Sequence, residues 1–373
     1  MKRWKLWPRG LFGKVAPTTI KGKLRFWFLF LSLAPIAVIG ALAYTSSRAS
    51  LEKEIQNKLD AVADNKSYIL ALWFKSQLAD AAALTANDAI KDLLSPGFRV
   101  VYPNLAAKTD ADRFQKVKDI VTARQETNSF YVDVLVADGD GKIVVSSSKS
   151  LLQQGKSLGD IGLAPKADNE AFYVSPVFFS QAAQQHVMMI VSPVHDNNAN
   201  VVGRVILEVE FRPVYRLIDE RSGLGQTGEV VLIDREHRML TQSYFSEAPT
   251  ILKTVPDNDP IRRGLAGEKG HNVGKDYRGV PVVGSFRPLP EIGAVLIAKI
   301  DESEVFAPIK RLRNLVLMII AATIVGAALA SLLLARTISR PIREGVGFAQ
   351  QVAQGDLTVS LPAGDSSEIG QLS

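Results

Sequence analysis

Apolar residues follow three different spacings along this chain, and each spacing predicts a different kind of element. Two uncharged runs, Phe26–Ser47 and Asn314–Ala335, hold 22 residues each. That length lets a helix cross a hydrocarbon core of roughly 30 Å. After the first run, apolar positions recur at intervals of three and four: Leu51, Ile55, Leu59 and Val62, then Ile69, Leu72, Trp73, Leu78 and Ala82. This spacing predicts a stalk helix that continues the first run to about Leu94 and ends at Ser95-Pro96-Gly97. A second helix is expected over about Asp110–Thr127, with Asp110 as its N-cap.

Beyond Thr127 the period changes to two. Tyr131–Val136 and Lys142–Ser147 read as strands joined at Asp138-Gly139-Asp140-Gly141, a hairpin turn. Gln185–Val194 and Val201–Phe211 form a second pair, and the segment 151–180 between the pairs is irregular. The order then repeats, with Glu229–Asp234 and Arg238–Ser243, followed by Val280–Pro288 and Gly293–Ile300. Asp138 maps onto Asp234, Pro193 onto Pro288 and Gly203 onto Gly293, at offsets of 96, 95 and 90. The expected class is α+β, with two copies of one small antiparallel-sheet module between two membrane helices.

Charge orients this arrangement. The first 25 residues carry eight basic side chains and no acid, which predicts a cytoplasmic N-terminus and an outer domain over 48–309. That outer stretch holds 30 Lys and Arg against 34 Asp and Glu, so the overall charge of +6 comes from the membrane flanks. A nucleic-acid partner is therefore not expected. Ala41-Leu42-Ala43 matches a signal-peptidase site, but the apolar run is too long for a cleaved signal, and an uncleaved anchor is the preferred reading. Cysteine is absent, which excludes disulfides and thiolate chemistry.

In these features the chain resembles the double Cache (dCache) sensors of bacterial receptors. The stalk helix, the tandem PAS-like sheets and the segment Gly223-Leu-Gly-Gln-Thr-Gly-Glu229 carry the resemblance over roughly residues 48–305. It implies a distal module at about 95–215 and a proximal one at about 223–305. After the second run, Arg336-Thr-Ile-Ser-Arg-Pro341-Ile342, Gly355-Asp356-Leu357 and Ser367-Glu368-Ile369-Gly370-Gln371-Leu372 look like a HAMP linker. Arg336, Pro341, Ile342 and Glu368 are its expected signal-relay residues. Ile342, Val346, Ala349 and Ala353 would form the apolar seam of a parallel coiled bundle. HAMP modules work as dimeric four-helix bundles, so 336–373 reads as a partial one. The chain is expected to be the sensory half of a longer homodimeric receptor in a bacterial inner membrane.

Motifs for other chemistry fail on context. Gly223-x-Gly225-x-x-Gly228 has the letters of a dinucleotide fingerprint but precedes a strand instead of a helix. Gly155-Lys156-Ser157 lacks the upstream glycine of a phosphate loop, where Ser150 stands. Lys142 occupies a ligand position of the calcium-loop pattern begun at Asp138. The four histidines show no metal-ligand spacing, so neither a metal, a cofactor nor an enzymatic site is expected in this chain.

The resemblance instead implies a small-molecule pocket in the distal module, under the segment 151–180. Amino-acid-binding members carry a Tyr…Arg-x-Trp-Tyr…Asp pattern. Here no Arg or Trp lies between Asp160 and Phe178, only Lys166 and the aromatics Phe172 and Tyr173, while Glu208 falls at the Asp position. An ammonium-binding role for Glu208 is one reading, with an amino-acid carboxylate lacking its arginine; the other is a packed core in which Glu208 pairs with Arg204 or meets solvent. By alternation Tyr131 and Asp133 should share one strand face, and His186, Met188 and Ile190 another. Tyr131, Asp133, Tyr173, Phe178, His186, Met188 and Glu208 make up the candidate ligand-binding set. The expected function is a sensor that signals through the second membrane helix to a methyl-accepting or histidine-kinase output. The alternatives are the sensor half of a diguanylate or adenylate cyclase and a membrane-anchored binding protein.

Overall fold

The computed structural model describes residues 20–95, 103–148, 156–161, 172–181, 183–334 and 340–356. The chain divides into two compact units, Glu52–Val305 and a second formed by Met1–Leu51 with Phe306–Ser373.

Helix α1 spans Ile20–Thr85, with Pro35 its only internal proline. It stops short of the expected Leu94. The Asn87 side chain accepts from the Ala89 N–H at 3.0 Å and caps a separate helix α2, Asp88–Leu94. Helix α3 covers Pro103–Thr127 and so begins before Asp110. A proline tolerates the first turn, where its missing N–H loses no intrahelical bond.

The larger unit holds two antiparallel sheets. Strands β1 (Tyr131–Asp138), β2 (Ile143–Ser146), β3 (Tyr173–Val174), β4 (Phe178–Ser180), β5 (Gln185–His195) and β6 (Val201–Glu210) form the first. Its order is β2-β1-β6-β5-β3, with β4 also paired to β5. Helix α4 (Arg212–Asp219) leads to β7 (Glu229–Asp234), then α5 (Asp259–Leu265), β8 (Gly270–Lys275), β9 (Pro281–Leu289) and β10 (Ala294–Asp301). The second sheet runs β7-β10-β9-β8. The expected strand Arg238–Ser243 does not form. Asp234 takes the Arg238 N–H at 2.7 Å and its Nε at 2.8 Å; Met239 bridges Ile233, but its N–H goes to the Lys253 carbonyl, so only isolated bridges to Ile233 and Thr254 form and no continuous ladder. Strand β8 was not expected, because Gly270-His-Asn-Val-Gly-Lys carries little β-propensity.

The two sheets are copies in register as well as in order. Both hairpins close with an aspartate N–H on a carbonyl four residues on, Asp138 to Lys142 and Asp234 to Arg238. Asp138 stands opposite Gly203 and Asp234 opposite Ala294, so Gly203 corresponds to Ala294 and not to Gly293. Gly293 instead closes a short turn in the left-handed region at φ 61°.

Polar groups on α1 fasten it to both modules. Arg287 of β9, 7% exposed, donates from Nη2 to Asp60 at 2.8 Å and to Asp64 at 3.1 Å. The buried Lys66 ammonium donates to the Leu217 and Ile218 carbonyls at 2.8 and 3.2 Å, satisfying the C-terminal end of α4. Farther along, Asp80 accepts from the Tyr131 hydroxyl at 2.7 Å and pairs with Arg124 at 3.3 Å. Near the end of the unit, Glu304 of α6 (Glu302–Val305) accepts the Gln226 and Thr227 N–H groups at 2.9 and 2.7 Å. Gly225 makes room for it, since a Cβ there would lie 2.4 Å from the Glu304 carboxylate.

In the other unit, α7 (Ala307–Leu334) and the N-terminal part of α1 are long and apolar enough to cross a membrane. They touch where Gly40 meets Val316, and a Cβ at Gly40 would lie 2.9 Å from Val316 Cγ1. Helix α8 covers Arg340–Ala353, with Pro341 in its first turn. Arg336 and Glu368 lie outside the described residues, and of Pro341 and Ile342 only the backbone is described.

Three substitutions probe this frame. A Cβ at Gly203 would sit 2.4 Å from the Ala137 carbonyl oxygen and 2.7 Å from Leu94 Cδ1. Gly203→Ala is expected to destabilise the protein by about 3 kcal/mol, read as the loss in unfolding free energy during chemical denaturation. Arg287→Ala should remove about 2 kcal/mol by deleting a buried side chain and its bonds to both carboxylates, and Asp64→Asn should lose far less because that carboxylate is largely exposed.

Candidate functional site

In β1 the pairing slips by one residue between Tyr131 and Asp133. Tyr131 stands opposite Val209, whereas Asp133 stands opposite Glu208. Because neighbouring residues on a strand face opposite ways, this bulge puts Tyr131 and Asp133 on different faces of the sheet. Tyr131 turns to the helix side, where it bonds Asp80, and burial raises its phenol pKa.

His186 and Met188 belong to the Tyr131 face as well. Met188 pairs with Val209, while Met189 pairs with Glu208. His186 packs edge-on against Phe179 and Tyr215, and burial lowers its pKa. Sequence alternation could not separate the two faces of β5, because every residue from Val187 to Val191 is buried.

Four of the seven candidate residues do come together. Asp133, Glu208, Tyr173 and Phe178 share the face that carries Leu135, Ile206, Met189 and Val191, with Tyr173 and Phe178 packed against that cluster. Asp133 and Glu208 are 3% and 2% exposed and directly opposite across β1 and β6. Like charges in such a pair destabilise a sheet.

The two carboxylates differ in how they are satisfied. Asp133 accepts from Ser146 Oγ at 2.7 Å, Ser147 Oγ at 2.8 Å and the Ser148 N–H at 3.0 Å. Glu208 takes a hydrogen bond from the Ser180 hydroxyl, but among the described residues its Oε1 has no partner. Burial pushes the Glu208 pKa up, and the facing Asp133 pushes it further. The serines were missed at the sequence level, although the run Ser146-Ser147-Ser148 opposite a strand aspartate was a readable signal.

The second module presents the matching position in a different state. Carrying the two hairpins over each other places Asp133 on Glu229, and the registers at Gly203 and Ala294 place Glu208 on Lys299. There the pair is complementary, with Lys299 Nζ 3.1 Å from Glu229 Oε2.

A separate open cleft of about 590 Å³ lies between the modules, lined by Tyr173, Met188, Arg235, Glu236 and Glu291 among others. Its size suits a small molecule. The carboxylate pair does not line it.

Comparison with known proteins follows the same division. A Cache domain model matches residues 46–309, and a HAMP domain model matches residues 333–373. A search of curated proteins found no match. Among solved structures, the sensor domain of the V. cholerae histidine kinase DctB is 13% identical with a TM-score of 0.46, covering 69% of this chain and 99% of its own. The ligand-binding domain of the Campylobacter jejuni chemoreceptor Tlp3 with L-valine is 13% identical, TM-score 0.47, covering 69% and 97%. That of the Pseudomonas fluorescens chemoreceptor CtaA with L-leucine is 12% identical, TM-score 0.49, covering 70% and 99%.

The raised Glu208 pKa gives a stability signature in ligand-free protein. Both folded and unfolded chains hold the proton at low pH, so the penalty is absent there and grows as pH rises through the folded-state pKa. Glu208→Gln should therefore be more stable than the parent at neutral pH by about 1 kcal/mol. The gain should shrink on acidification, as followed by denaturation midpoints across a pH series.

Proposed function

This chain belongs to the Cache domain family and continues into a HAMP domain, and on that premise we propose that it is a two-pass transmembrane receptor for a small cationic ligand. The ligand position is the buried face of the distal module. The observation that carries this reading is the Glu208 carboxylate, buried opposite Asp133 with Oε1 unpartnered among the described residues. A primary ammonium placed between the two acids would relieve their repulsion and supply the missing donor. Tyr173 and Phe178 stand on the same face and offer aromatic walls for the remainder of such a ligand.

The basic N-terminal arm favours a cytoplasmic N-terminus and an extracytoplasmic sensor in an inner membrane. Binding would bias the packing of the sensor, and α7 with α8 would pass the change to a methyl-accepting or histidine-kinase output in a homodimer. Shifts of about 1–2 Å and a coupling of about 1–3 kcal/mol suffice for such switches.

Calorimetry of the full chain in detergent against a panel of primary amines tests the ligand class. A binder is expected whose affinity falls about tenfold per pH unit below the Glu208 pKa, because the cation must displace a proton. Glu208→Ala should lose about 2 kcal/mol or more of that binding. A panel containing only non-binders, or a binder indifferent to Glu208→Ala, would remove the assignment.

A further inference from the structure

The proximal module buries a charge network that the proposed signalling does not use. Lys299 is 2% exposed and Glu229 4% exposed. The Lys299 ammonium contacts Glu229 Oε2 at 3.1 Å, bonds Asp276 Oδ2, and lies 4.3 Å from the centre of the Tyr277 ring. Two carboxylates and an aromatic face thus surround one primary ammonium, a cage suited to that group by charge and by ring quadrupole.

The cage is held from behind as well. Tyr277 donates to Glu229 Oε2 at 2.8 Å, and the Tyr244 N–H donates to Glu229 Oε1 at 2.8 Å. Arg278 Nε donates to Asp276 Oδ2 at 2.7 Å, and the Val280 N–H to Asp276 Oδ1 at 3.1 Å. Neither carboxylate depends on the lysine for its orientation, so the cage is organised by the sheet and its loops. A void of about 20 Å³ adjoins it, lined in part by Tyr277, Asp276 and Lys299, with room for about one water.

The position of this cage within the repeat gives it meaning. Glu229 and Lys299 occupy the cross-strand pair that Asp133 and Glu208 occupy in the first sheet. We propose that Lys299 is a tethered occupant of the proximal module's ligand position, a primary alkylammonium site filled permanently by the chain's own side chain. The ligand class follows from the cage: an unbranched primary alkylammonium, which can donate N–H bonds to both carboxylates while its stem occupies the channel of the lysine. That this is a ligand position rests on the receptor reading of the distal pair, whereas the cage itself stands on its own contacts.

The test removes the tether and returns the ligand. Lys299→Ala in the full chain deletes a fragment equivalent to n-propylammonium. Its melting midpoint should fall, and added n-propylammonium should recover most of the loss with saturable dependence while leaving the parent protein unmoved. n-Propanol, which fills the same volume without charge, and tetramethylammonium, which has no N–H, should not recover it. Equal recovery by n-propanol, or none by n-propylammonium, overturns the proposal. Should Lys299→Ala fail to fold, Glu208→Lys carries the test, because it writes the proximal pair into the distal module. Its midpoint should rise above that of the parent through the new pair with Asp133, and a fall would overturn the equivalence of the two positions. Absence of amine binding by the parent distal site would count against the proposed receptor ligand alone, since the Lys299→Ala arm reads only the proximal cage.

Discussion

A single helix carries the polar contacts that fasten both sheets, and the arrangement of the larger unit depends on them. From Asp60 to Asp80, α1 presents two carboxylates to Arg287, an ammonium to the end of α4, and a third carboxylate to Tyr131 and Arg124. Each contact joins a fixed height on the helix to a fixed residue of one module. Apolar packing alone would allow a helix to slide by a turn along a sheet at modest cost, whereas a buried guanidinium accepts only one seating. The helix therefore works as a ruler between the modules as well as a stalk.

Within each module the controlling constraint is strand register. A one-residue slip exchanges the two faces of a strand, and the bulge between Tyr131 and Asp133 is such a slip. It sends a phenol to the helix side and keeps a carboxylate facing Glu208. The same pairing logic makes the two modules comparable residue by residue. It shows one position holding two acids in the first sheet and an acid with a lysine in the second. Duplicated sheets can thus diverge in what they require while keeping the same hydrogen-bond ladder, since a side-chain change at one pair leaves the backbone bonds in place.

Much of the fold was legible because it rests on local signals. The change in period after Thr127, the turn at Asp138–Gly141 and the repeat spacing all mark the backbone directly. Arg238–Ser243 misled because its alternation is that of a strand, while bonds to Asp234 and to Lys253, the second distant in sequence, leave it only isolated bridges to Ile233 and Thr254. Strand β8 escaped for the opposite reason, a weak local signal that pairing with β9 overrides. The candidate site was half legible. Glu208 was marked by its match to the family's acidic position, Asp133 by strand alternation, and Tyr173 and Phe178 as aromatics within the irregular segment. His186, Met188 and Tyr131 were misassigned to that face, because a strand buried on both sides leaves no alternation to read and a bulge leaves no trace in composition.

The contact of Glu304 with the Gly225–Thr227 turn has a mechanical meaning. Val305 is the last residue of the larger unit, and α7 begins at Ala307. Load applied along the chain from that helix would reach the carboxylate latch at Gln226 and Thr227 before it reached the ladder of β10, which is closed by a full row of backbone bonds on both sides. Two amide bonds and a hydroxyl tie α6 sideways to that turn, beside the covalent chain that joins α6 to β10. Losing this contact would release α6 from the Gly225–Thr227 turn while leaving every backbone bond of the β10 ladder in place.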